Sequence, residues 1–220
     1  MLRKGNLCIL VVLAIIFALV FGACGETGGD DTTYELGQTG PGGGIIFYRN
    51  LSGFTVHMLN PSDNYTAYYL EAAPEDLSGV GDTPISSGRY LWTINDFYDL
   101  VPGLSETDVD ETDWAIGRGR KNTALILDSI DNPATNAPAA YYCYNYDISN
   151  DWFLPSLNEL KMLYQNKDAA GITVLDSSMN HWSSSQSALY TAWCLTFSDG
   201  SDISAHAKDN SFLVRPIRAF

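Results

Sequence analysis

Hydrophobic and polar positions alternate with two different periods along this chain, and the change of period marks its elements. Ile45-Ile46-Phe47-Tyr48 and Phe54-Thr55-Val56-His57-Met58-Leu59 are β-branched and aromatic, with Asn50 to Gly53 between them as a turn. Tyr65 to Ala72 continues in the same manner and closes at Pro74. These runs predict the opening strands of a sheet. Period 3.6 replaces period 2 at Leu157, Leu160, Leu163 and Tyr164, an inward helical face opposed by Asn158, Lys161 and Gln165. The start of that helix is written in full. Pro155 pushes Leu154 out of the helical region, Ser156 caps the first amides, and Glu159 answers back to the Ser156 amide as a capping box. Upstream, Asn122 is placed to cap a helix from Thr123 to about Ile130 that stops before Asn132-Pro133, and a second helical piece runs from Ala139 to Tyr144. Downstream, Trp193, Leu195 and Phe197 alternate, turns follow at Ser198-Asp199-Gly200 and Lys208-Asp209-Asn210, and Phe212 and Val214 alternate again. A β-meander after the helix is the expectation, with Pro216 keeping the last segment at an edge.

The N-terminus carries a different pattern. Arg3 and Lys4 precede an uncharged run from Leu7 to Phe21, then Gly22, Ala23 and Cys24. A basic n-region, an apolar h-region and small residues before a cysteine read as a lipoprotein signal peptide over 1–23, with Cys24 the acylated first residue of the mature chain. An uncleaved anchor helix is the alternative. Phe21 stands where the usual lipobox has Leu. More than one acyl chain on Cys24 makes the attachment stable. Both readings put the rest of the chain outside the cytoplasm, in the cell envelope, with the outer membrane or cell surface preferred over the inner membrane. Residues 24–33 hold no large apolar side chain and predict a flexible tether, leaving 34–220 as one domain.

Charge then narrows the partners. The chain has 12 Lys+Arg against 26 Asp+Glu, net −14, and losing Arg3 and Lys4 with the leader makes the mature part more acidic. Nucleic acid and other polyanions are excluded as partners on electrostatic grounds. Between Arg89 and Arg118 no basic residue occurs while acidic residues accumulate, so Asp108, Asp110 and Asp113 are candidate calcium ligands. The spacing is not an EF-hand loop, and a solvated acidic loop is the plainer reading. Arg118, Arg120 and Lys121 form the basic cluster that follows, suited to an anion near helix amides or to pairing with the acidic loop. Gly40-Pro41-Gly42-Gly43-Gly44 lacks the Gly-Lys-Ser/Thr ending of a phosphate loop. His57, His181 and His206 have no partner at zinc spacing, and Ser183-Ser184-Ser185 has no nucleophile-elbow pattern. No catalytic set emerges, and the expectation is a protein that is not an enzyme and needs no cofactor.

Several stretches together resemble a known family: Asp151-Trp152-Phe153-Leu154-Pro155-Ser156 with Glu159-Leu160, His181-Trp182-Ser183-Ser184-Ser185, Ala192-Trp193-Cys194, and the closing Val214-Arg215-Pro216-Ile217-Arg218-Ala219-Phe220. With the Gly40 to Tyr48, Tyr69 to Pro74 and Gly117 to Ala124 stretches, they are similar in order and spacing to the C-terminal domain family of the Legionella collagen-like adhesin. The resemblance implies an α+β, C-type-lectin-like single domain with a mixed, mostly antiparallel sheet, about two helices and long irregular loops. Its last strand would lie close to the opening strand. It also implies a binding or adhesin-like module whose ligand is an unidentified glycan or protein. The family's adhesin is associated with sulfated polysaccharides, for which this acidic chain lacks the basic surface. Enzymes on the related fold keep open a cell-envelope enzyme acting on glycan or peptide, and a structural envelope protein is a third reading. For binding, an exposed aromatic patch from Trp92, Tyr98, Trp114 or Trp182 is expected. Cys143 and Cys194 are the cysteines left after signal removal and acylation; an oxidising compartment predicts a disulfide between them, with two buried thiols as the alternative.

Overall fold

The computed structural model describes residues 33–78, 88–94, 100–104, 111–147, 151–172, 177–198 and 203–220. Strand β1 (Ile45–Val56) pairs antiparallel with β2 (Tyr65–Ala72), running Ile45↔Ala72 to Val56↔Tyr65. Helices α1 (Gly119–Ser129), α2 (Pro133–Asn136), α3 (Pro138–Tyr144) and α4 (Leu157–Asn166) follow. The chain then forms β3 (Asn180–Gln186), β4 (Thr191–Thr196), β5 (Ile203–Ala207) and β6 (Ile217–Ala219). Two three-stranded antiparallel sheets result, ordered β1-β2-β6 and β3-β4-β5. The architecture is therefore α+β, and Tyr34–Phe220 makes one unit. Among the described residues, no helix is long and apolar enough to cross a membrane.

The predicted turn at Asn50 to Gly53 does not reverse the chain. It is a bulge inside one long strand, because the register passes from Arg49↔Tyr69 to Phe54↔Ala67 across it. Asn50 folds the extra residues in place: its Oδ1 accepts from Ser52 N, its Nδ2 donates to the Gly53 carbonyl, and Gly53 adopts φ +77°. Strand β3 lies where the serine run gives no strand signal, and all of it past Asn180 is buried. Its serines are buried and donate to backbone carbonyls, Ser183 to Trp193, Ser184 to Pro155 and Ser185 to Asp113. Helix α1 starts earlier than Asn122, which is not its cap. Asn122 is buried within the helix and spends its amide on the Asp113 carbonyl. Among the described residues there are four helices rather than about two: α3 is the helical piece expected from Ala139 to Tyr144, and α2 is a short addition started by Pro133.

The capping box forms as expected. Ser156 Oγ accepts from Glu159 N, and Glu159 Oε2 accepts from Ser156 N at 2.7 Å. Leu157, Leu160 and Leu163 turn inward, and Leu160 and Leu163 join a cluster with Phe47, Leu70, Phe197 and Ile217. A second apolar cluster gathers α1, α3 and β3 around Ile126, Cys143, Leu154, Trp182 and Val214. The segment from Phe212 to Ile217 joins the sheets, bridging Tyr90, His181 and Phe153 in turn. The last strand does share a sheet with the first, with β2 between them. At their junction Glu71 is fully buried. It accepts from the Gly42 and Gly44 amides at 2.9 Å each and pairs with Arg218 at 2.7 Å. The glycine-rich loop thus wraps the chain's own carboxylate, which occupies the amides a phosphate would need.

Candidate functional site

A cleft of about 670 Å³ opens between the segment that leaves β2 and helix α3. One wall is Pro74, Glu75, Asp76, Leu77 and Ser78; the other is Tyr141, Tyr142, Asn145 and Tyr146, with Tyr90 at the base. Helical spacing explains the second wall. Tyr141 and Tyr142 lie on the face of α3 away from Ala139, Ala140 and Cys143, which are buried, and Asn145 and Tyr146 follow just past the end of the helix. Ala139 N donates to the Leu91 carbonyl, which fixes the helix against the segment carrying Tyr90. The rings touch one another: Tyr90 and Tyr142 at 5.4 Å between centroids, Tyr141 and Tyr142 edge-to-face at 5.3 Å. Tyr146 leans edge-to-face on buried Trp152 at 4.9 Å.

The first wall is held from behind by an arginine. Ala73 N and Leu77 N donate to the Pro216 and Val214 carbonyls, so the segment runs beside the chain between the sheets. Arg215 between them is fully buried. Its Nε donates to Asp76 Oδ1 at 2.7 Å and its Nη1 to the Ala73 carbonyl at 2.8 Å. His181 Nε2 stands 3.2 Å from the same Asp76 oxygen, with its ring 4.5 Å from Phe197. Burial works to raise the Asp76 pKa, but the hydrogen bonds and charges of His181 and Arg215 outweigh it and hold the carboxylate below its ordinary value.

These environments define what the cleft can do. Burial, with Cys143 and Tyr142 alongside, pushes the Tyr90 phenol up to about 12. Tyr146 is also raised, by burial first, with Arg215 opposing and Asp147 and Glu75 adding to the rise. Both phenols stay neutral near pH 7. Cys143 lies beneath α3 with its thiol pushed well above the ordinary range by burial and by Asp76, which leaves no reactive thiolate. Asp76 is committed to Arg215, and His181 is fully enclosed behind it. Ring faces, hydroxyls and carboxylate acceptors remain.

The residues expected from sequence to make an aromatic patch are placed elsewhere. Trp92 and Trp182 are core residues, 1% and 0% exposed, and this corrects the expectation that they face a ligand. Their indole N–H groups explain why burial is tolerated, Trp92 donating to the Ser183 carbonyl and Trp182 to the Tyr90 carbonyl, both at 2.9 Å. The Lys208 ammonium also lies 4.6 Å over the Trp92 ring. Trp114 is half-buried and packs edge-to-face on Trp193 at 5.1 Å, away from the cleft lining. Tyr98 lies outside the described residues. The cleft tyrosines Tyr141, Tyr142 and Tyr146 are not among the expected site residues, although the helix from Ala139 is expected; the burial of Ala139, Ala140 and Cys143 on its other side is what turns them outward.

Of the candidate calcium ligands, Asp108 and Asp110 lie outside the described residues. Asp113 is buried, its carboxylate 3.6 Å from the Arg118 guanidinium and its carbonyl taken by Asn122 and Ser185. It serves the scaffold and corrects the reading of that residue as a calcium ligand. Among the described residues no cluster of His, Cys, Asp and Glu could hold a metal ion. Arg118 pairs with Asp113, as the pairing reading has it, whereas Arg120 pairs with Asp151 at 3.0 Å, outside the acidic stretch. Cys143 and Cys194 are not joined. Both are buried thiols, Cys143 on α3 and Cys194 on β4, where Cys194 Sγ donates to the Ser204 carbonyl on β5. That corrects the expected disulfide: the neighbouring strand, rather than the helix, receives the Cys194 sulfur. Cys24 lies outside the described residues.

No family model matches the chain, and no curated protein matches it. Among solved structures, a fimbrial protein from Bacteroides ovatus ATCC 8483 is similar at 17% identity and TM-score 0.43, over 70% of this chain and 36% of that one. The chain thus spans about a third of that protein's length.

Proposed function

We propose that this protein is an extracytoplasmic binding module, tethered to a membrane by lipid on Cys24, that engages a glycan or protein ligand in its tyrosine-walled cleft. The observation that carries the reading is the cleft itself. Its volume is that of a small-molecule or side-chain site, one wall is rich in tyrosine, and the other carries the Glu75 and Asp76 carboxylates, the latter held by Arg215. The C-type-lectin-like architecture belongs to the same proposal, and the placement of the first and last strands in one sheet supports it. The N-terminal pattern of Arg3, Lys4, the apolar run and Cys24 supports the anchor.

A glycan and host-matrix binding screen, run with and without calcium, tests the reading when repeated on Tyr141→Ala and Tyr146→Ala. Binding by the native chain that is lost in both variants, with unchanged melting profiles, is the expected result. Hits that persist in both variants overturn the cleft as the site. Radiolabelled palmitate tests the tether: incorporation is expected, and labelling that survives Cys24→Ser sinks the lipoprotein assignment.

A further inference from the structure

The cleft's polar groups are unevenly matched. Among the described residues no lysine, arginine or histidine lines it, while Glu75 and Asp76 both do. Asp76 is balanced by Arg215, so the surplus charge belongs to Glu75, which is exposed and makes no ion pair among the described residues. The donors among the described lining residues are neutral: the phenols, the Ser78 hydroxyl and the Asn145 amide, one N–H of which goes to the Tyr141 carbonyl at 2.8 Å. A site rich in acceptors and π faces, on a chain of net −14, complements a ligand that brings donors and positive charge.

Resting on the binding reading above, we propose that the cleft takes the cationic end of a lysine or arginine side chain presented by a protein partner. The apolar stem of such a side chain lies along the tyrosine wall, and its head reaches Glu75 at the rim. Tyr141 and Tyr142 line the cleft with their centroids 5.3 Å apart, so a head group beside one ring is also near the other. A neutral saccharide would use the ring faces but leave the surplus carboxylate unanswered.

Calorimetry on the full chain with an N-acetylated, C-amidated lysine peptide, its acetyl-lysine counterpart and cellobiose tests this. The lysine peptide is expected to bind, to weaken about tenfold on side-chain acetylation, and to weaken as salt is raised. Glu75→Gln and Tyr146→Leu should each weaken it several-fold, and Glu75 is exposed enough that its variant keeps the native melt. Equal binding of the acetylated peptide, or salt-independent binding of cellobiose that Tyr146→Leu abolishes, overturns the cation preference while leaving the cleft as the site. Lysine-peptide binding untouched by both variants, or no binding by the peptide at all, also overturns it. Failure of the binding reading is separately visible, as screen hits that ignore Tyr141→Ala and Tyr146→Ala.

Discussion

The backbone N–H of Gly117 donates to Glu159 Oε1 at 2.8 Å, and the other oxygen of that carboxylate accepts from Ser156. The capping residue of α4 is therefore also a tertiary clamp. Gly117 in turn accepts from His57 N at 2.8 Å, so one fully buried acid ties the end of β1, the start of α1 and the N-terminus of α4 together.

Glu159 should give the fold a distinctive pH dependence. Burial pushes its pKa up to about 7 against the opposing pull of the Ser156, Gly117 and Gly119 donors. A carboxylate raised above its unfolded value of about 4.3 binds protons more tightly when folded. Its contribution is fully present below about pH 4.3 and is lost as pH rises to about 7, a span on the order of 3 kcal/mol. Thermal melts of the native chain and Glu159→Gln across this range should differ in slope, with the variant losing the decline. A decline of equal size in Glu159→Gln would assign it to another group.

Gly117 itself cannot carry a side chain. It sits at φ +90°, and a Cβ there would overlap the Thr55 carbonyl oxygen. Gly117→Ala should lower the stability by roughly 2–4 kcal/mol in urea unfolding. Gly43, at φ +83° with open space around it, is the control; Gly43→Ala should cost about 1 kcal/mol. Equal costs would mean that backbone conformation, not the close approach to β1, sets the requirement.

Asp76 and Arg215 form the buried pair behind the cleft. Asp76→Ala strands a guanidinium that is 0% exposed and should cost about 3–5 kcal/mol. Arg215→Met leaves Asp76 with His181 and partial access to water, so the loss should be smaller, and the double variant should cost less than the sum. The Asp76 pKa is lowered on folding, so its contribution is present above the unfolded carboxylate value and disappears as pH falls through the folded one. Additive losses in the double-mutant cycle would rule out the coupling.

The thiols should count as two. Denatured, unreduced mature protein is expected to react at both Cys143 and Cys194, and the folded protein at neither, because both are fully buried. A count of zero after denaturation would restore the disulfide.

What the sequence determined by itself was what neighbours in the chain decide. Ser156 and Glu159 are three residues apart, so their capping box is legible without a fold, and so is the inward row of Leu157, Leu160 and Leu163. Tyr65 to Ala72 was readable as a strand for the same reason. Tertiary structure alone decided which polar groups are buried and against what. Nothing local marks Glu71 as the ligand of the glycine loop, since its partners Gly42 and Arg218 lie 29 and 147 residues away. The Asn50 to Gly53 turn became a bulge because β2 pairs on both sides of it, and the serines of β3 became strand residues because distant carbonyls accept their hydroxyls. Trp92 and Trp182 look like surface aromatics until backbone carbonyls 91 and 92 residues distant take their N–H groups. Desolvating a polar group is costly unless a partner is met, and the fold chooses that partner by bringing remote segments together.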